Sequence, residues 1–393
     1  MKLIKNSFLS AIAAVIFLAS CATTNQSNNS SATSADVQNA NSSAVTNPVT
    51  ENSIPISGSI TVTTFINSSD KYGNLLTQLS EDELALADIT AGDIAAVDIC
   101  GKTLAIPVVT SYSDVNVGSF LIRLSKGTVS IAINHGNCAG TLGAEAGTPV
   151  AFILSKKGGY LSEYTIRHLE KSENRSDYAS DEIFANARVV SVKGIGANKV
   201  YRSCNPSLSD ARAPYADAFA QKSGIKTAIN LANNKNAYNE NQQKLPAKYY
   251  SSLVDSGNVI FLDMGVTITE DAFAQKFAEG VRFMLTKEAP YLIHCDEGKD
   301  RAGFVNAVLQ AFMGASLEEI TDDYMISFEN YYGVTKGSDK YNHIAPNIIG
   351  MFESVSGGVK VTDKNIKAVA TDYLTNTVGL SKAELKQLKN KLK

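Results

Sequence analysis

From residue 54 to 160, apolar positions come in short runs that alternate with polar ones or are bounded by glycine: GSITVTTFI, AAVDICG, KTLAIPVVTSY, GSFLIRLSKGTVSIAI and GTPVAFILS. Alternation with turn residues between the runs predicts strands, and a succession of them predicts a mostly β module, either a small barrel or a sandwich. Residues 161–199 are polar and irregular, with a short helix near 161–170, and read as a connection. From 200 to 393 the pattern changes. NKVYRS, IKTAINLA, VIFLDMG and APYLIHC read as strands, separated by the helical stretches SLSDARAPYADAFAQKSG and TEDAFAQKFAEGVRFMLTKE. Strands alternating with helices predict an α/β domain with a central, mostly parallel sheet flanked by helices. Beyond Ala302 the chain reads as helical throughout. AGFVNAVLQAFMGA is apolar on nearly all sides and should be central, SLEEITDDYMISFENYYG follows it, and two helices near 362–376 and 381–391 close the chain.

The first 21 residues have a different pattern. A basic start at Met1–Lys5 precedes an apolar run, Phe8–Leu18, that is too short to span a bilayer. The Leu18-Ala19-Ser20-Cys21 that follows resembles the lipobox of bacterial lipoproteins, which implies a signal peptide and acylation of Cys21. Residues 22–53 are Ser, Asn, Thr and Ala with almost no large apolar side chain, and read as a disordered tether. The expected location is the bacterial cell envelope, lipid-anchored and facing the periplasm or exterior. In a cell with two membranes, Ala22 carries no obvious inner-membrane retention signal, which favours the outer one.

Charge removes one class of partner. With 36 Lys and Arg against 39 Asp and Glu, and no basic block along the chain, nucleic acid is not expected. The remaining cysteines, Cys100, Cys138, Cys204 and Cys295, form no Cys-x-x-Cys pair, and four histidines offer no zinc spacing, so neither a metal nor a cofactor is expected. Cys100 and Cys138 read as buried small apolar residues, with a disulfide between them as the alternative.

The chemistry concentrates in IHCDEGKDRAG at 293–303, where a strand leads into a glycine-containing loop and then a helix. Unpaired N–H groups at such a loop and helix start make an anion site, and a cysteine placed there is expected to ionise more readily than a free thiol. Five residues separate Cys295 from Arg301, whose planar guanidinium matches two phosphoryl oxygens at once. This Cys-x5-Arg loop, with His294 before it and Ala302-Gly303 after it, resembles the signature of the protein tyrosine phosphatase superfamily, and its GKDR form resembles the bacterial tyrosine phosphatases and the lipid-phosphatase branch. VYRS at 200–203, GIKTAINLA at 224–232 and MGASLEEITDDYM at 313–325 resemble the same framework. Upstream, YGNLLTQL at 72–79 and the stretch 111–150 resemble the C-terminal β domain of SAM hydroxide adenosyltransferases, from which no catalytic residue carries over.

The phosphatase resemblance implies a hydrolase that needs no metal: Cys295 attacks phosphorus, a phosphocysteine forms, and water hydrolyses it. Arg301 would bind the phosphate and the transition state, and an aspartate would protonate the leaving oxygen. Asp300 is the favoured acid and Asp263 in FLDMG the alternative. Gly298 belongs to the cradle, and Asp296 and Glu297 read as rim residues that repel heavily phosphorylated substrates. Lys299 reads either as a contact to a second phosphate or as a solvated rim lysine; Arg202 either faces the pocket or forms a structural ion pair. His294 is expected to tune the loop by hydrogen bonding rather than to shuttle protons. Cys204, if close to Cys295, would allow a reversible disulfide. The expected substrate is a phosphorylated protein, at tyrosine or with dual specificity, or another small phosphorylated molecule. An inositol-phosphate or phosphoinositide phosphatase and a non-catalytic phospho-ligand binding lipoprotein are the alternatives.

Overall fold

The computed structural model describes residues 60–393, so the signal peptide, Cys21 and the tether lie outside the described residues. The described chain forms two compact units that divide between His168 and Leu169.

The first unit is a closed seven-stranded barrel. Its strands are β1 (Thr61–Ser69), β2 (Leu75–Thr77), β3 (Ile94–Ile99), β4 (Lys102–Val109), β5 (Phe120–Ser125), β6 (Thr128–Ile133) and β7 (Pro149–Lys156), in the order β1-β2-β6-β5-β4-β3-β7. Closure leaves no unpaired edge. All neighbours are antiparallel except β4 and β5. Inward-facing Leu75, Val97, Ile131 and Phe152 are sealed from solvent, and Cys138 packs with them.

Cys100 does not share that burial. It is exposed, and with Gly101 it forms the two-residue turn between β3 and β4, where both residues have positive φ (51° and 71°). Hairpins of this length favour positive φ at both turn positions because such turns match the twist of the strands. Residue order within the turn therefore overrides the apolar character of the side chain. Cys100 and Cys138 are both free thiols.

The second unit holds a five-stranded sheet in the order β11-β10-β12-β9-β8, built from β8 (Arg188–Val189), β9 (Val200–Ser203), β10 (Thr227–Asn230), β11 (Val259–Phe261) and β12 (Tyr291–His294). β9 to β12 run parallel, and β8 pairs antiparallel with β9. β9, β10 and β12 are buried at every residue, including the polar Arg202, Ser203, Thr227, Asn230 and His294. The stretch expected to be a mere connection is divided. Its helix, Leu161–Arg167, belongs to the barrel unit, whereas residues 169–199 fold with the sheet and supply β8.

All thirteen residues of the helix Arg301–Met313 are buried, as its apolar circumference predicts. Phe304 sits among the rings of Phe273, Tyr373 and Phe352, at centroid separations of 5.9, 5.8 and 6.0 Å. Truncating it would leave a cavity under the first turn of the helix. Phe304→Ala is expected to lower the stability of this unit by about 3–5 kcal/mol, measured by urea denaturation.

Candidate active site

β12 ends at His294, and the chain turns at once through Cys295–Asp300 into the helix Arg301–Met313. Parallel pairing of β12 with β9 and β10 places Ser203 and Asn230 beside His294, so the loop emerges at the carboxyl edge of the sheet. The backbone polar groups of this loop are divided by direction. Asn205 N–H donates to the Asp296 carbonyl at 3.0 Å, and Asn186 and Tyr331 side chains donate to that of Glu297 at 2.9 and 2.7 Å. Arg202 donates to the carbonyls of Gly298 and Lys299 at 2.9 and 3.4 Å, and Phe304 N–H to that of Asp300 at 2.9 Å. No N–H from Asp296 to Asp300 donates to a described residue. A backbone with its acceptors satisfied from behind and its donors free is built to take an anion.

Gly298 makes this path possible. Its φ is +67°, and a Cβ there would lie 2.1 Å from the Ser203 carbonyl oxygen. Only glycine tolerates both the left-handed backbone and the close approach.

Behind the loop, Arg202 is fully buried and its Nη1 meets Asp323 at 2.6 Å. Asp323 also takes Arg188 at 3.0 Å and Gln310 at 2.7 Å. Burial disfavours the Asp323 carboxylate, but the two guanidinium groups outweigh it and hold the carboxyl well below its usual range. Of the two readings of Arg202, the structural ion pair is the one observed; the side chain does not face the pocket.

Two further expectations are corrected in the same way. Glu297 is not a rim residue: its carboxylate pairs with Lys171 at 2.5 Å and Lys299 at 2.9 Å. Burial opposes its charge, yet Lys299 and Lys171 hold its carboxyl down at about 2. Lys299 is neither solvated nor free for a second phosphate. Its ammonium is buried against Glu297, the Tyr332 hydroxyl at 2.9 Å and the rings of Phe328 and Tyr332. The alternation of charges in the sequence Glu-Gly-Lys-Asp is thus consumed largely inside the protein.

Cys295 is 2% exposed. Burial pushes its thiol above its ordinary value; Arg301 and the Ala302 N–H work against that rise, while Asp296 and Asp300 add to it. The sequence leads one to expect a lowered thiol value; burial, with Asp296 and Asp300 adding to it, outweighs Arg301 and the Ala302 N–H and reverses that direction. Arg301 spans the site, donating to the Met264 carbonyl at 3.1 Å and to Asp296 at 2.5 Å.

The two candidate acids differ in setting. Asp300 stands at the start of the helix, yet its carboxylate caps no backbone N–H. Burial raises it to about 6; Lys299 pulls it down and Glu297 pushes it up. Asp263 is exposed, has φ +47°, and accepts from Asn234 at 3.2 Å. His294 is buried and its Nε2 lies 2.9 Å from the Tyr250 hydroxyl. Burial lowers it to about 3, so the ring is neutral at neutral pH. Cys204 packs in a separate buried cluster with Ala185, Ala187 and Ala216; burial drives its thiol well upward, and both it and Cys295 are free.

Sequence reasoning missed the residues that support the loop from behind, namely Lys171, Asn186, Arg188, Asp323 and Tyr331. A signal existed for the last two. Asp323, Ser327 and Tyr331 recur every four residues on the helix Leu317–Tyr332, which makes one face polar, and all three are buried.

The model of the tyrosine phosphatase family matches residues 190–393, just over half of the chain, and that of the SAM hydroxide adenosyltransferase C-terminal domain matches residues 65–151. The chain belongs to the tyrosine phosphatase family, and its C-terminal unit is a Cys-dependent phosphatase domain. No curated protein matches it. Among solved structures, an uncharacterized conserved protein from Thermotoga maritima is 24% identical at TM-score 0.23, covering 28% of this chain and 39% of that one. A conserved hypothetical protein from Thermus thermophilus is also 24% identical at TM-score 0.19, covering 23% and 34%. The chain thus spans well under half the length of either, and TM-scores this low do not bear on the fold.

Gly298→Ala tests the cradle. The added methyl forces the loop away from Ser203, and a displacement of about 1 Å at a reacting centre costs about 100-fold. The variant is expected to keep its helical content by circular dichroism and to lose about that factor in kcat/KM on an aryl phosphate.

Proposed function

We propose that the C-terminal unit is a protein phosphatase acting on phosphotyrosine or with dual specificity, with Cys295 as nucleophile, Arg301 as phosphate clamp and Asp300 as general acid. The observation that carries this reading is the loop from Cys295 to Arg301, whose carbonyls are bonded outward and whose N–H groups from Asp296 to Asp300 are left for an anion. Cys295 Sγ, as its thiolate, attacks phosphorus as the bond to the leaving oxygen breaks, and Asp300 gives that oxygen its proton. The Asp300 carboxylate then takes a proton from the water that attacks the phosphocysteine, which releases phosphate and restores the thiolate.

Asp300 is favoured over Asp263 because its buried setting raises it to about 6 without any capping bond to occupy it. A carboxyl at that value is protonated on the acid side of 6 and loses its proton as pH rises through it. Burial of Lys299 against Glu297 and Tyr332 removes the residue that favoured a polyphosphorylated inositol substrate.

Hydrolysis of an aryl phosphate should disappear in Cys295→Ser; equal rates in the two proteins would remove the reading. Asp300→Asn is expected to slow an alkyl phosphate by about 10²–10⁴ and a nitrophenyl phosphate far less. In the same variant the decline of kcat as pH rises through about 6 should be absent. Equal slowing of both substrates would move the acid to Asp263.

The proposal includes a location. Lipid on Cys21 would hold the enzyme at the cell envelope, with residues 22–53 as the tether; the support is the Leu-Ala-Ser-Cys sequence. No helix among the described residues is long and apolar enough to cross a membrane. Cys21→Ser is expected to move the protein from the membrane fraction to the soluble fraction on cell fractionation.

A further inference from the structure

Asp296 is the one carboxylate of the loop that is neither buried nor paired with a lysine. Its side chain is 46% exposed, and its partner is Arg301 Nη2 at 2.5 Å. The same guanidinium is the group assigned to the phosphate. A further hydrogen bond, from Nη1 to the Met264 carbonyl, holds the arginine in place from a different loop. A carboxylate and a phosphoryl group present the same pair of acceptor oxygens to a guanidinium fork, so the two compete for one position.

We infer that Asp296 is a built-in competitor for the phosphate site. Anions bind by displacing its carboxylate from Arg301, and the carboxylate returns as product phosphate leaves. This inference rests on the reading of Cys295 and Arg301 given above. The geometry suits a side chain that swings while the main chain stays still. The Asp296 carbonyl is fixed by the Asn205 N–H at 3.0 Å, while its exposed carboxylate has solvent to move into. Glu297, next in sequence, has no such freedom, since two lysines hold it.

The contact has a second consequence at the sulfur. A guanidinium neutralised by Asp296 does less to favour a thiolate, and Asp296 itself disfavours one. With Asp296 in place, the thiolate form of the nucleophile is less favoured.

Displacement costs all anions alike, so it weakens ground-state binding without selecting among monoesters. The test is calorimetric titration of inorganic phosphate into the full chain carrying Cys295→Ser, with and without Asp296→Asn. Loss of the competitor is expected to tighten phosphate about tenfold, equivalent to about 1.4 kcal/mol. Asp296→Ala should do the same, because both substitutions remove the charge. In the protein with Cys295 intact, Asp296→Asn should also speed alkylation of Cys295 by iodoacetamide at neutral pH. Unchanged or weaker phosphate binding in both variants would overturn the inference. The two readings fail separately: wild-type hydrolysis that does not depend on Cys295 would instead remove the functional proposal.

Discussion

A guanidinium sealed from solvent must find partners for its charge, and Arg202 finds them for its two terminal nitrogens in Asp323 and in the carbonyls of Gly298 and Lys299. That one requirement ties β9, the helix Leu317–Tyr332 and the catalytic loop together. It also decides the direction of the peptide units. Once those carbonyls are turned back toward Arg202, their neighbouring N–H groups are left without protein acceptors. The anion site is therefore the reverse side of a buried ion pair. Removing one partner of such a pair costs about 3–5 kcal/mol, which shows how firmly the loop is held before any substrate arrives.

The three carboxylates of the loop have three fates, set by burial and by the nearest cation. Glu297 is drawn inward between Lys171 and Lys299 and is held ionised. Asp300 is buried where its neighbours act in opposite directions, so desolvation prevails and it is raised to about 6. Asp296 stays half in solvent on Arg301. Carboxylates in one six-residue loop thus take three settings: one anchored between two lysines, one raised by burial, and one half-exposed on an arginine. Lys299 belongs with the anchor: its ammonium is spent on Glu297, Tyr332 and two aromatic faces, and does not add to the positive potential of the cradle.

Support for the loop is drawn from far along the chain. Asn186 and Arg188 come from the stretch 169–199, whose polar composition resembles a linker but whose polar groups are used inside the fold. Arg188 reaches Asp323, and Asn186 reaches the Glu297 carbonyl and Ser327. Polarity alone did not distinguish a solvated connection from a buried hydrogen-bond network, because the two differ in partners rather than in composition.

What was legible in the sequence is what repeats or is local. Period-two and period-3.6 patterns placed nearly all strands and the central helix, since burial of one face demands them. The Cys-x5-Arg spacing with Gly298 marked the cradle, because its geometry is set within a few consecutive residues. Strands as short as β2 and β8, at three and two residues, escaped because they are too short for a pattern. The ambiguous side chains, Arg202, Glu297, Lys299, Cys100 and Cys295, were settled only by what tertiary structure brought beside them. A charge on its own does not say whether it faces phosphate, a counter-ion or water. That choice depends on desolvation and on partners distant in sequence, such as Asp323 for Arg202 and Tyr332 for Lys299, and it exists only once the chain has folded.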